Sequence, residues 1–214
     1  MAPEDEDLRL AIYQSFASTG RPPDLDADAR PGLRRLAAAR HVVLDGDDHI
    51  LMAHPFSTVP LGFSVMGART LWWGGCAWDS FAIPHLVADE PAVLVATRCP
   101  ACERPHAWNV TRDAPPPGDQ LAHFLVPVAH MWDDVVHTCG HQRLFCDRSC
   151  VDTWLERSGN AEGYVMDVPT LWRLARGWYG GRLDRGYTRR EPAAAGEYLR
   201  EVGLEGAFWG LTVP

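Results

Sequence analysis

The chain contains no lysine; all twenty of its basic residues are arginine. That absence excludes a Schiff-base lysine, a lysine general base and a Walker-type phosphate lysine. Positive charge is also in deficit, with 20 basic against 28 acidic residues and a formal net charge of -8. A strongly acidic balance argues against nucleic acid as a partner. Long apolar runs are missing as well: none approaches the ~20 residues that span a bilayer, so no membrane partner is expected. The first residues include Glu4, Asp5, Glu6 and Asp7, the reverse of a basic signal-peptide start. Together these deficits predict a cytoplasmic protein, in which thiols stay reduced. The six cysteines at 76, 99, 102, 139, 146 and 150 then read as metal ligands or reactive thiols rather than as a disulfide set. His-Glu-x-x-His, Gly-x-Ser-x-Gly and phosphate-loop patterns are absent too.

What is present is a globular composition, 46% hydrophobic over 214 residues, enough for one sizeable core plus a small satellite. Leu8, Ala11, Ile12 and Phe16 recur at helical spacing over 8–18, and a second short helix is expected over 33–40. The turn Asp45-Gly46-Asp47-Asp48 between HVVLD and HILMA predicts a hairpin. Two helices and a hairpin over residues 1–60 suggest a degenerate winged-helix-like unit. Its ten acidic residues against six arginines favour packing over DNA reading. Strands are expected at 61–65, 69–73 and 92–97 and over HAWNV and LAHFLVPV. Helices are expected over 77–87, 149–157, 169–176 and 191–202, with Pro84 kinking or stopping the first of these. The fold class is α+β: the unit 1–60, then a small mixed β-sheet core flanked by helices over 61–186, then a C-terminal extension 187–214.

Two places carry chemistry. Cys76 follows Gly74-Gly75 where a helix should begin, and helix-start amides favour a thiolate, lowering its pKa. Asp79, three residues on, shares its face. A soft sulfur beside a carboxylate can hold a soft electrophile while the acid carries a proton; the blander alternative is an inert buried cysteine near a helix-capping aspartate. Cys139 sits in His137-Thr138-Cys139-Gly140-His141, 63 positions from Cys76, as a thiol nucleophile, a metal ligand or a core residue. A second set, Cys99-x-x-Cys102 with Cys146-x-x-x-Cys150, has the make-up of a tetrathiolate site for structural zinc, with His106 or His141 as substitute ligands. Free thiols and a redox pair are its alternatives. Trp72, Trp73 and Trp78 near Cys76 suit either core packing or an apolar pocket wall.

The block Cys76-Ala-Trp-Asp79-Ser-Phe-Ala-Ile-Pro84 resembles the Cys-Ala-x-Asp-x-x-x-x-Pro block of the organomercurial (alkylmercury) lyases. Cys139-Gly140-His141, followed by Phe145 and Trp154, is similar to that family's second-cysteine region. The resemblance implies protonolysis of carbon–mercury bonds, giving a hydrocarbon and Hg(II). By it, Cys76 and Cys139 would capture R–Hg⁺, and Asp79 would deliver to carbon a proton taken from an incoming thiol. Hg(II) would remain on the cysteine pair until low-molecular-weight thiols or a mercuric reductase remove it, with no organic cofactor. Cys99 falls where the family carries a non-catalytic cysteine. Gly75 replaces an aromatic residue of the better-known members, and Gly140 replaces a vicinal cysteine found in some. Two other functions are compatible with these residues: a non-enzymatic soft-metal or zinc-binding sensor or carrier, and a lyase-fold enzyme with another substrate. Asp79 separates them, because metal capture alone needs no proton donor.

Overall fold

The computed structural model describes residues 1–211 of the chain. Helix α1 (Pro3–Thr19) starts with proline and Glu4, Asp5 and Glu6 in its first turn, and ends at Gly20, whose φ of 75° is left-handed. Its face Ile12, Tyr13 and Phe16 is buried, as are Leu33 and Leu36 of α2 (Arg30–Ala38). The expected hairpin is β1 (Val43–Leu44) with β2 (Ile50–Ala53), and its turn is held by the Asp45 carboxylate, which accepts the amides of Asp47 and His49 at 2.9 and 2.8 Å. There follow β3 (Phe56–Ser57), β4 (Ser64–Met66), β5 (Leu71–Gly74), α3 (Ala77–Leu86), β6 (Ala92–Arg98), β7 (Pro105–Thr111) and β8 (Leu121–Phe124). The chain continues through α4 (Val135–Gly140), β9 (Gln142–Phe145), α5 (Arg148–Ser158), β10 (Tyr164–Asp167), α6 (Val168–Trp178) and α7 (Pro192–Glu201). Pro84 lies inside α3 without stopping it, since the helix ends two residues later and loses little by the missing N–H.

The fold is α+β. A seven-stranded sheet has the order β1-β2-β3-β5-β4-β6-β7, and a three-stranded sheet has the order β10-β8-β9. Where sequence suggested a mixed sheet, every pairing among the described residues is antiparallel. The pairs β1-β2, β2-β3, β4-β5 and β6-β7 are joined by short turns, which can only reverse direction. One sheet runs on across residues 60 and 61, and one core includes Phe16, Met52, Trp72, Phe81, Leu171, Leu199 and Trp209. Residues 212–214 of the expected extension lie outside the described residues. Helix α3 is buried from Ala77 to Pro84 because it packs on α6 on one side and on the large sheet on the other. The site therefore begins on the most enclosed helix of the molecule.

A buried ion pair ties the first helix to the loop after α6. Arg9 is fully buried and grips Glu6 with two bonds of 2.7 and 2.8 Å. Its remaining donors reach the carbonyls of Arg182 and Asp184, both at 2.6 Å. Arg9 lowers the Glu6 pKa to about 2 against the opposing effect of burial. The pair thus stays charged and keeps the 182–187 loop in place.

Candidate active site

Cys76, Asp79 and Cys139 line one cavity of about 250 Å³. Cys76 is the N-cap of α3: its Sγ accepts the Asp79 amide at 3.3 Å, satisfying a helix-end donor that serine or aspartate usually takes. The cap is thus the cysteine, and the aspartate is left free to face the cavity. Cys139 comes from α4, whose N-cap Asp134 accepts the His137 amide at 2.9 Å. Its Sγ lies 3.9 Å from Asp79 Oδ2, and it lines the same cavity as Cys76. Two sulfurs separated by 63 positions and one carboxylate thus meet.

Asp79 is fully buried but not isolated. The Tyr179 hydroxyl donates to Oδ1 at 2.5 Å, and His54 Nδ1 lies 3.1 Å from Oδ2. Burial pushes the carboxyl pKa up, yet His54 and these hydrogen bonds outweigh it and hold the group below its ordinary value. The thiols respond the other way. Burial pushes Cys76 well above the usual thiol value, with Cys139 and the Asp79 charge adding to it. Cys139 is also raised: its bond to Cys76 lowers the value, but burial and the Asp79 charge prevail. The lowered Cys76 pKa expected from the helix start is therefore corrected, because desolvation next to an anion exceeds the pull of a helix end. At rest the centre is a carboxylate facing two thiols.

Gly75 explains how the carboxylate comes so close to the chain. A Cβ there would collide with Asp79 Oδ2, and one on Gly74 would collide with Ser80 Oγ. The two glycines before Cys76 are a close-approach requirement, and no larger residue fits either position in this arrangement.

Of the three tryptophans expected as pocket walls, only Trp78 lines the cavity, joined by Trp132 and Trp178. Trp72 is a core residue donating to the Phe16 carbonyl at 2.7 Å, and Trp73 is exposed, because alternate residues of β5 face opposite sides. Sequence reasoning missed His54, Tyr179 and Arg182. His54 sits in the tight connection between β2 and β3, and Tyr179 caps the C-terminus of α6. Neither position carries a motif; the apolar stripe of α6 ending in Gly177-Trp178-Tyr179 was the one available hint. Arg182 is buried and donates to the His54 carbonyl at 2.7 Å, fixing that residue from behind.

The second cysteine set also converges. The sulfurs of Cys99, Cys102, Cys146 and Cys150 all lie within 4.8 Å of one another, with Cys102–Cys146 at 3.5 Å and Cys102–Cys150 at 3.9 Å. Neither His106 nor His141 belongs to the group. His106 Nε2 instead approaches the Cys146 sulfur at 3.3 Å, and His141 bonds the His137 carbonyl. This cluster joins the β6–β7 turn to the start of α5, apart from the cavity of Cys76 and Cys139.

Over residues 56–180 the sequence matches the alkylmercury lyase family. The crystal structure of the mercury-bound form of MerB2 shares the fold, with a TM-score of 0.61 and 16% identity over 82% of this chain and 89% of that one. No curated protein matches the sequence. With more than half of its length inside the family match, the chain belongs to the alkylmercury lyases and is a carbon–mercury lyase.

Proposed function

We propose that Cys76, Cys139 and Asp79 carry out the protonolysis, as the convergence of two thiols on one ionised, buried carboxylate supports. R–Hg⁺ arrives on a carrier thiolate. One cysteine thiol displaces the carrier, and its proton leaves with that thiolate. The second thiol then binds mercury and gives its proton to Asp79, the adjacent base. Two sulfur donors load electron density onto the metal-bound carbon. Asp79 passes its proton to that carbon, the Hg–C bond pair becomes the new C–H bond, and Hg(II) stays on two thiolates. Charge and atoms balance: two thiol protons are spent, one on the carrier and one on the hydrocarbon. His54 and Tyr179 hold the carboxylate in place and stabilise its charge before the proton arrives and after it leaves. Low-molecular-weight thiols then remove Hg(II), and a mercuric reductase in the cytoplasm is the consumer that suits this product. Among the described residues no helix is long and apolar enough to cross a membrane. Incubation with phenylmercury and excess thiol should release benzene stoichiometrically; mercury capture without benzene would favour a carrier or sensor instead.

We further propose that the four-cysteine cluster holds structural zinc. Tetrahedral zinc–thiolate bonds of ~2.3 Å place sulfurs ~3.8 Å apart, and the Cys102–Cys146 and Cys102–Cys150 separations, 3.5 and 3.9 Å, bracket that value. Zinc there would clamp the β6–β7 turn to the β9–α5 junction and so steady the strand that follows Cys139. Metal analysis is expected to give one zinc per chain, with chelation lowering Tm; a metal-free protein of undiminished Tm would contradict this.

A further inference from the structure

The cavity lining carries a charge that protonolysis does not use. Arg40, Arg182, Arg189 and Arg190 all line it, and Asp79 is the single acidic residue among its lining side chains. This is a concentration of positive charge in a chain of net charge -8. Arginine ion pairs among the described residues use Arg9, Arg34, Arg35, Arg148 and Arg185, and none uses the four cavity arginines. Arg190 is occupied, donating to the Gly177 carbonyl and lying over Tyr198. Arg182 is pinned by the His54 carbonyl and the hydroxyls of Tyr13 and Tyr187.

Arg40 and Arg189 are different. Both place their guanidinium groups over Trp132, at 5.4 and 4.9 Å from the ring centre, and neither has a carboxylate partner among the described residues. Arg40 holds this position from a left-handed backbone with φ 59°, a conformation arginine seldom adopts. Trp132 packs edge-on against His54 at 5.9 Å, so one ring links the two guanidinium groups to the reacting acid's own support. Burial, then the charges of Arg182 and Arg40, lowers the Arg189 pKa, so like charges gather at this end of the cavity with no carboxylate between them.

We propose that Arg40 and Arg189, backed by Arg182, form an anion subsite that selects organomercurials delivered with a carboxylate, borne either by the organic group or by the carrier thiol. This rests on the lyase function above and names its substrate class. A forked guanidinium matches a carboxylate with paired, charge-assisted bonds, and the Trp132 ring against which both groups lie holds them at the cavity wall.

The test compares kcat/KM for phenylmercury and 4-carboxyphenylmercury, each supplied with 2-mercaptoethanol and with mercaptoacetate. It is run on the full chain and on Arg40→Gln and Arg189→Gln. A preference of about tenfold or more for a carboxylated combination is expected, since a charged hydrogen-bond pair is worth that factor. Preference following the ring identifies the organic group as its source, and preference following the thiol identifies the carrier. Either one should shrink toward unity in the variants and weaken with salt. The preference is a ratio within each protein, so a merely less active variant still reports it. Equal kcat/KM for all combinations, or a preference that survives both substitutions, would overturn the subsite. Failure of the parent protein to release benzene from phenylmercury would instead overturn the lyase function itself.

Discussion

Asp79→Ala is expected to keep mercury on the protein while hydrocarbon release falls by about 10²–10⁴-fold, the range lost with a positioned acid–base group. The two sulfurs that bind the metal remain, so capture continues. What disappears is the acceptor for the second thiol proton and its donor to carbon. Asp79→Asn separates chemistry from structure: it still accepts the Tyr179 hydroxyl bond but cannot carry a proton between thiol and carbon. Both variants should trap R–Hg on cysteine. Benzene release at the parental rate from either one would refute the proton-relay role.

The same carboxylate sets a sign for pH. Its folded value lies below the ordinary 3.8, because His54 and the hydrogen bonds on it outweigh burial. Asp79 is therefore ionised and ready to take a thiol proton at any pH above that value. Cys76 lies well above 9.0, so neutral pH brings no pre-formed thiolate on it. Single-turnover cleavage should accordingly stay flat through neutrality and fall only as acid protonates Asp79. The stability contributed by the depressed carboxyl follows the same direction: present above its unfolded value, and lost as pH drops through the folded one.

Cys139→Ser is the second large effect. The substitution preserves shape within one atom, but a hydroxyl oxygen is a hard ligand and a poor acid, so it neither holds soft mercury nor supplies a proton. Benzene release in excess thiol should drop to the level of a protein-free control. Bound mercury should be washed out by the same thiol. Retention of parental turnover would show that one sulfur suffices and that Cys139 is a core residue.

Much of this centre was legible in the chain. The three-residue spacing of Cys76 and Asp79 at a helix start placed both on α3, and resemblance to a family supplied Cys139. Three short strands were not legible. β3 has two residues, and β9 and β10 have four each, too few for a period to declare itself. α4 was hidden because its six residues carry no apolar stripe; its signal was the Asp134 cap. His54, Tyr179 and Arg182 belong to the site through tertiary contacts spanning 25 to 128 positions, which no local pattern records. The thiol pKa direction was misread for the same reason: a helix end is visible in sequence, but the degree of burial around it is not.

The central claim is tested most directly by locating the metal after one equivalent of phenylmercury has reacted with the protein, by crystallography of the product complex. The account predicts a single mercury between the sulfurs of Cys76 and Cys139, with a carboxylate oxygen of Asp79 beside it. Mercury held by Cys99, Cys102, Cys146 and Cys150, with residues 76 and 139 still free thiols, would contradict it.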